Sequence, residues 1–221
     1  MRYAIMVSGN GGFAKFIHKN RDIVPHGEFG AIISDRDCPG IQFFLQKTAV
    51  PAYMFNYKDF GSKELFEAEI VAQLKACRID VLFLNYDRLI GPVLLNAFPD
   101  KIFNLHLSLL PLFKGFKAIE KSFESDALFY GATIHLVDET VDGGPIVSQV
   151  LLAKRVHDDL NSYTHRLFEN AAVLFLDTIS KVCDGQLIIE KQRPFFTNAE
   201  YGNSNFNPAL SIDASRAIFS I

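Results

Sequence analysis

Asn104 and His106 stand two residues apart in the run Phe103-Asn-Leu-His106. On an extended strand that spacing sets an amide and an imidazole on one face and sends Leu105 to the other. Such a pair can hydrogen-bond a developing oxyanion and move a proton, because imidazole titrates near neutral pH. Taken alone, Asn-x-His reads more simply as a hydrogen-bonded pair closing a strand. Asp142 shifts that balance. It lies in Asp142-Gly-Gly-Pro145, where glycine permits positive φ and close approach of backbone to a ligand. An ionised Asp142 beside His106 would favour the imidazolium. This chemistry requires neither metal nor covalent intermediate, and no metal is expected. Cys38, Cys77 and Cys183 are widely spaced, with no CxxC and no Cys/His pair at ligand spacing.

Positioning these groups falls to short β-branched runs that alternate with longer amphipathic stretches through about residue 150. That is the pattern of βαβ units: an α/β fold, doubly wound, with a mainly parallel sheet and helices on both faces. Strands are expected at 2–7, 29–33, 51–54, 80–84, 102–106, 131–137 and 146–151. Helices are expected at 13–21, at 61–77 with Ser62 as cap and Leu65, Ile70, Leu74 and Cys77 recurring near helical spacing, and at 161–184. Asn104 and His106 then sit at the carboxyl end of a parallel strand, facing the crevice where open α/β sheets bind ligands. The expected organisation is a catalytic domain over 1–189 and a loop-rich appendage over 190–221, rich in Asn, Ser, Gly and Pro. The apolar end Ala217-Ile-Phe-Ser-Ile221 can dock on the domain or on a partner.

Composition narrows the function classes. The 221 residues are 49% hydrophobic with a net charge of −3, enough for one sizeable core and without a basic stripe for nucleic acid. No apolar run approaches the roughly 18 residues of a membrane helix. The apolar start reads as a strand leading to Ser8-Gly-Asn-Gly-Gly12 rather than as a signal peptide. A reduced, cytoplasmic setting is expected, with small-molecule partners, no nucleic acid, no membrane, and a monomer or homodimer.

Two stretches carry a resemblance. Asn104-Leu-His106-Leu-Ser-Leu-Leu-Pro111 with Gly115, and Gly131-x-Thr-x-His135-x-Val-Asp-Glu-x-Val-Asp142-Gly-Gly-Pro-Ile-x-x-Gln149, resemble the signature of the folate-dependent formyltransferases. In length and layout the chain is most similar to the glycinamide ribonucleotide formyltransferases, from Met1 to about Gly185. The resemblance implies a formyltransferase-type Rossmann-like fold and 10-formyltetrahydrofolate as donor cosubstrate. It implies Asn104, His106 and Asp142 as catalytic trio. It also implies a folate pocket built by Tyr86, Arg88, Leu89, Ile90, Ile102, Val137, Asp138, Glu139, Thr140 and Val141. Asp87 and Asn85 depart from the residues common there in the purine enzymes.

The acceptor side departs further. The first loop precedes a helix, so its amides can cradle an anion. The purine enzymes follow its second glycine with Ser-Asn, where this chain has Gly12-Phe13. Thr164 stands near the position of the carboxylate that binds the acceptor amine in those enzymes, with Glu169 as the alternative. Asn10, Gly11, Gly12, Phe13 and Thr164 are therefore the expected acceptor residues, with an aromatic or sugar moiety resting near Phe13. Lys114, Lys117 and Lys121 either meet an acidic substrate or are simply solvated. His135, on one face with Thr133 and Val137, reads equally as a core histidine. The acceptor is either glycinamide ribonucleotide or a different amine, such as an amino sugar or a specialised metabolite. Two other classes stand beside this one: a hydrolase releasing formate from the same donor, and a folate-binding protein without turnover. Related deformylases carry an added N-terminal domain and the methionyl-tRNA enzymes an added C-terminal one, neither of which is expected here.

Overall fold

The structure, a computed structural model, describes residues 1–213 together with Arg216, Ala217 and Phe219. In chain order the strands are β1 (Arg2–Val7), β2 (Glu28–Ser34), β3 (Ala52–Met54), β4 (Val81–Asn85), β5 (Ile102–His106), β6 (Phe129–Leu136), β7 (Ile146–Ala153), β8 (Leu187–Glu190), β9 (Arg193–Phe196) and β10 (Phe206–Asn207). The helices are α1 (Gly12–Lys19), α2 (Pro39–Lys47), α3 (Lys63–Ala76), α4 (Pro92–Ala97), α5 (Ala118–Glu124) and α6 (Leu160–Cys183). The seven strands and three helices expected from periodicity fall within two residues of these bounds. The β8–β9 hairpin escapes that reading because its run is broken by Lys191-Gln192, both at positive φ.

One eight-stranded sheet, ordered β10-β7-β6-β5-β4-β1-β2-β3, carries the molecule. Pairing is parallel from β3 through β5 and antiparallel across β6, β7 and β10. The chain runs outward from β1 to β3 and then returns to β4 on the other side of β1. This reversal opens a crevice at the carboxyl ends of β1 and β4, where doubly wound folds bind ligands.

Alternation along each strand feeds two cores, which is why the strands read as nearly continuous apolar runs. Tyr3, Ile5, Val7, Phe83, Phe103 and Leu105 meet α1, α2 and α6 on one face. Ala4, Met6, Leu82, Leu84 and Ile102 meet α3 and α4 on the other. Asn104 and His106 share the parity of Ile102, so they face the α3/α4 side while Leu105 enters the opposite core, as the spacing predicts. One detail differs: Leu65, expected on the buried face of α3, is exposed and Phe66 is buried in its place. Glu67, also buried, accepts the Gly91 and Leu94 amides (2.5 and 3.3 Å) and so caps α4.

The segment after residue 190 is mostly exposed turns and loops, tied down at a few points. Phe196 joins the core, and Phe206–Asn207 adds to the sheet beside Val150 and Gln149. Buried Asp177 of α6 accepts the Ser211 and Ile212 amides (2.7 and 3.2 Å), and buried Lys181 donates to Asp177 and to the Ala209 carbonyl, both at 2.6 Å. Of the apolar end, Ala217 packs against the core and the Phe219 ring lies 5.2 Å from Phe16. Residues 218, 220 and 221 lie outside the described residues. Among the described residues, no helix is long and apolar enough to cross a membrane.

Removing one member of a buried ion pair strands the other. Asp177→Ala should therefore lower unfolding stability by about 3 kcal/mol or more, read as a shift in urea midpoint. Asp177→Asn, which keeps hydrogen bonding to the tail, should cost less.

Candidate active site

Pairing of β5 with β6 sets the local geometry: Asn104 lies opposite His135 and His106 opposite Thr133. The β6–β7 turn then folds Asp142 back over both imidazoles. Its Oδ2 is 3.4 Å from His106 Nδ1 and its Oδ1 is 3.6 Å from His135 Nε2. Asp142 itself sits at φ 46°, a left-handed conformation that Asp tolerates better than most residues. A Cβ at Gly144 would overlap the Leu136 carbonyl oxygen, so close approach rather than positive φ demands glycine there.

The segment joining β5 to α5 completes the cluster. Gly115 N–H donates to Asp142 Oδ2 at 2.8 Å, and His106 Nε2 lies 3.0 Å from the Phe113 carbonyl. Phe113, Gly115 and Lys117 all have positive φ, a concentration of unusual backbone that suits a functional loop. Ser108 Oγ donates to the Leu112 carbonyl (2.8 Å). Thr133 Oγ1 donates to the Ser108 carbonyl (2.8 Å) and accepts the Leu110 amide (3.0 Å). Gln149 donates to the Leu110 carbonyl at 3.0 Å, fixing the turn that holds the cis Leu110–Pro111 bond.

Two acceptors flank the His106 ring, Asp142 and the Phe113 carbonyl, and both favour its charged form. Burial opposes them and is the larger effect, so the His106 pKa is lowered. The imidazolium expected from the neighbouring carboxylate is therefore not the resting form at neutral pH. Burial by itself would raise the Asp142 carboxyl. The His135 ring, the Gly115 N–H and His106 together outweigh that and hold it at about 2. His135 Nδ1 lies 2.8 Å from the Leu136 carbonyl, and its Nε2 lies 3.2 Å from Asn104 Nδ2 and 3.6 Å from Asp142 Oδ1. At most one of the two Asn104 amide N–H groups is directed at His135, which leaves the other for the cavity.

That cavity, about 680 Å³, is lined by Asn104, His106, His135 and Asp142 and by the segments 84–92, 115–120 and 137–142. Tyr86, Arg88, Leu89, Ile90, Val137, Asp138, Glu139, Thr140 and Val141 all border it. Ile102 does not: it is buried in the core below, and its carbonyl accepts the Val137 amide at 2.9 Å. Phe116 borders the cavity too, unforeseen because nothing in its spacing marks it, and so does Lys117, one of the three lysines that the sequence offers to an acidic substrate.

The expected acceptor residues are not among those lining this cavity. Asn10 is exposed, and Gly11 precedes α1 at φ 67° with Gly40 packed against it. Phe13 is 2% exposed and stacks on Phe168 with ring centroids 4.8 Å apart, so its ring offers no face to an acceptor. A residue on the inner side of α1, facing α6, must pack, and that geometry overrules the expected contact. Thr164 Oγ1 donates to the Leu160 carbonyl at 2.6 Å within α6, and Glu169 pairs with His165 at 3.3 Å.

Comparisons with known proteins show what the chain as a whole is similar to. The family model described as Formyl transferase matches residues 1–179. The phosphoribosylglycinamide formyltransferase of Bacillus subtilis is 31% identical over 168 residues, 75% of this chain and 86% of that protein. The crystal structure of glycinamide ribonucleotide transformylase 1 from Symbiobacterium toebii superposes with a TM-score of 0.83 at 29% identity, covering 90% of this chain and 94% of the other. The phosphoribosylglycinamide formyltransferase of Bacillus halodurans gives a TM-score of 0.77 at 34% identity, over 82% and 95% of the two chains.

The lowered carboxyl has a measurable consequence. A carboxyl held below its unfolded value adds stability that is complete above pH about 4 and is lost as pH falls toward 2. Asp142 should account for about 2 kcal/mol of acid-side loss. Urea unfolding followed against pH should show that loss in the native protein and a flatter curve between pH 4 and 2 in Asp142→Asn. The His106 shift adds a separate slope: stability declines as pH falls below about 6.5, where the unfolded imidazole begins to take up protons.

Proposed function

The chain belongs to the formyl transferase family, and from that premise we propose that it transfers a formyl group from 10-formyltetrahydrofolate to an amine by direct attack, with Asn104, His106 and Asp142 acting on the reacting atoms. The observation that carries the reading is the convergence of an amide, a buried neutral imidazole and an ionised carboxylate on one cavity wide enough for a pterin ring.

In this reading the donor lies against segments 86–90 and 137–141, whose main-chain groups read the pterin edge while apolar side chains sandwich the ring. The acceptor nitrogen forms a bond to the formyl carbon, and the carbonyl oxygen becomes an oxyanion. The free N–H of Asn104 stabilises it, an effect worth about 3–4 kcal/mol for a fixed donor. The attacking nitrogen releases a proton and folate N10 receives one as its bond to carbon breaks. His106 carries that proton. Its burial makes the imidazolium a ready acid, and Asp142 keeps the charged form accessible while it lasts. The segment 113–117 holds His106 and Asp142 in line through the Phe113 carbonyl and the Gly115 amide.

The relatives' names point to glycinamide ribonucleotide as acceptor. One observation favours a different amine. With Phe13 packed on Phe168, residues 11–13 have no polar side chain to add to the main-chain N–H groups near Asn10, which suits an acceptor less dependent on gripping a phosphate.

A single assay separates the possibilities: loss of 10-formyltetrahydrofolate followed by absorbance, alone, with glycinamide ribonucleotide, and with amino sugars. Loss without amine would indicate hydrolysis, and folate binding without loss in any arm would indicate a protein without turnover. With the acceptor found, His106→Ala, Asp142→Asn and Asn104→Ala should each lower kcat by at least about 10²-fold while folate still binds. Near-normal turnover in any of them removes that residue from the chemistry.

A further inference from the structure

Asp35 is a buried carboxylate outside the cavity, just beyond β2, and it gathers more donors than any role described so far requires. Its Oδ1 accepts from Ser8 Oγ at 3.0 Å and from Arg36 Nε at 3.0 Å. Its Oδ2 accepts from Arg36 Nη2 at 2.8 Å and from Arg88 at 3.2 and 3.1 Å. Arg88 borders the cavity, and its guanidinium carbon lies over the Tyr57 ring, 3.7 Å from the centroid, so carboxylate and aromatic face together fix it. Ser8, which opens the first loop, passes the restraint on: its hydroxyl donates to Asp35 and accepts the Asp87 amide at 3.1 Å. Arg36 reaches the same loop through Asp87 Oδ2 at 3.6 Å.

We propose that Asp35 is a positioning residue for the donor pocket, holding Arg88 directly and the Asp87 backbone through Ser8, so that segment 86–90 is set for folate before folate arrives. This rests on the donor reading above. Asp35 and Ser8 are not among the residues lining the cavity, so their effect on affinity passes through the loop they hold. Two guanidinium groups and the Ser8 hydroxyl offset the burial that would otherwise raise the Asp35 carboxyl, and its pKa is lowered. The clamp therefore stays charged across the physiological range. It ties the loop after β1 to the loop after β4, the two strand ends that flank the crevice. A loop held in its binding conformation loses less freedom on association, which is how a residue without ligand contact contributes to affinity.

The experiment is calorimetric titration of the full-length protein with tetrahydrofolate, at a temperature where every variant remains folded. Asp35→Asn, which removes the charge and keeps the shape, should weaken binding about tenfold, the scale of losing a charge-assisted hydrogen bond. Asp177→Asn, the same change at a buried carboxylate on the far core, should stay within about twofold. In the formyl-transfer assay the Asp35 loss should appear in the donor KM and leave kcat unchanged. Should Asp35→Asn not fold, Ser8→Ala cuts the link to Asp87 without altering charge and should weaken tetrahydrofolate about threefold. Wild-type affinity in Asp35→Asn or, in its place, Ser8→Ala overturns the positioning role and leaves the donor reading intact. Equal weakening in Asp35→Asn and Asp177→Asn also overturns it, as general destabilisation. Native protein that does not bind tetrahydrofolate sinks the donor reading and this inference with it.

Discussion

A single carboxylate ties together the parts of the site that are far apart in sequence. Asp142 faces the imidazoles of His106 and His135 and accepts the Gly115 amide, so β5, β6 and the segment leading to α5 meet on two oxygens. Its ionised state is what makes this possible, because a neutral carboxyl could accept fewer of these contacts and would no longer offset a charge on His106. The left-handed backbone at Asp142 and the close approach at Gly144 are local costs that these contacts offset.

Electrostatics and burial pull His106 in opposite directions, and the balance defines what the ring can do. A surface imidazole beside a carboxylate would rest largely protonated. Here the buried ring rests neutral, yet both of its nitrogens face acceptors that welcome a proton when one is delivered. That combination suits a group that must take and give a proton within one turnover.

Much of this was legible in the chain. Short β-branched apolar runs and helical periodicity place seven of the strands and three of the helices to within two residues, because strands buried on both faces and amphipathic helices leave strong patterns. The Asn-x-His spacing and the Asp142-Gly-Gly turn likewise point to one cluster. Other features leave no such mark. His135 is set apart from a core histidine only by the β5–β6 register, which no local pattern encodes. Asp35 sits in an ordinary charged run, Asp35-Arg-Asp37, and becomes a hub because β2 ends beside Ser8 and Arg88.

Phe13 marks the boundary between the two kinds of knowledge. The sequence alone determined that the first loop carries an aromatic residue instead of a polar one, which is a statement about composition at a position. Which way that ring turns was decided by the packing of α1 on α6, where stacking on Phe168 buries it. Residue type and spacing determined the fold class and the chemistry available to Asn104, His106 and Asp142, because those depend on periodicity and on functional groups. Protonation, reach and exposure were left to tertiary structure, because desolvation and contact depend on neighbours distant in the chain.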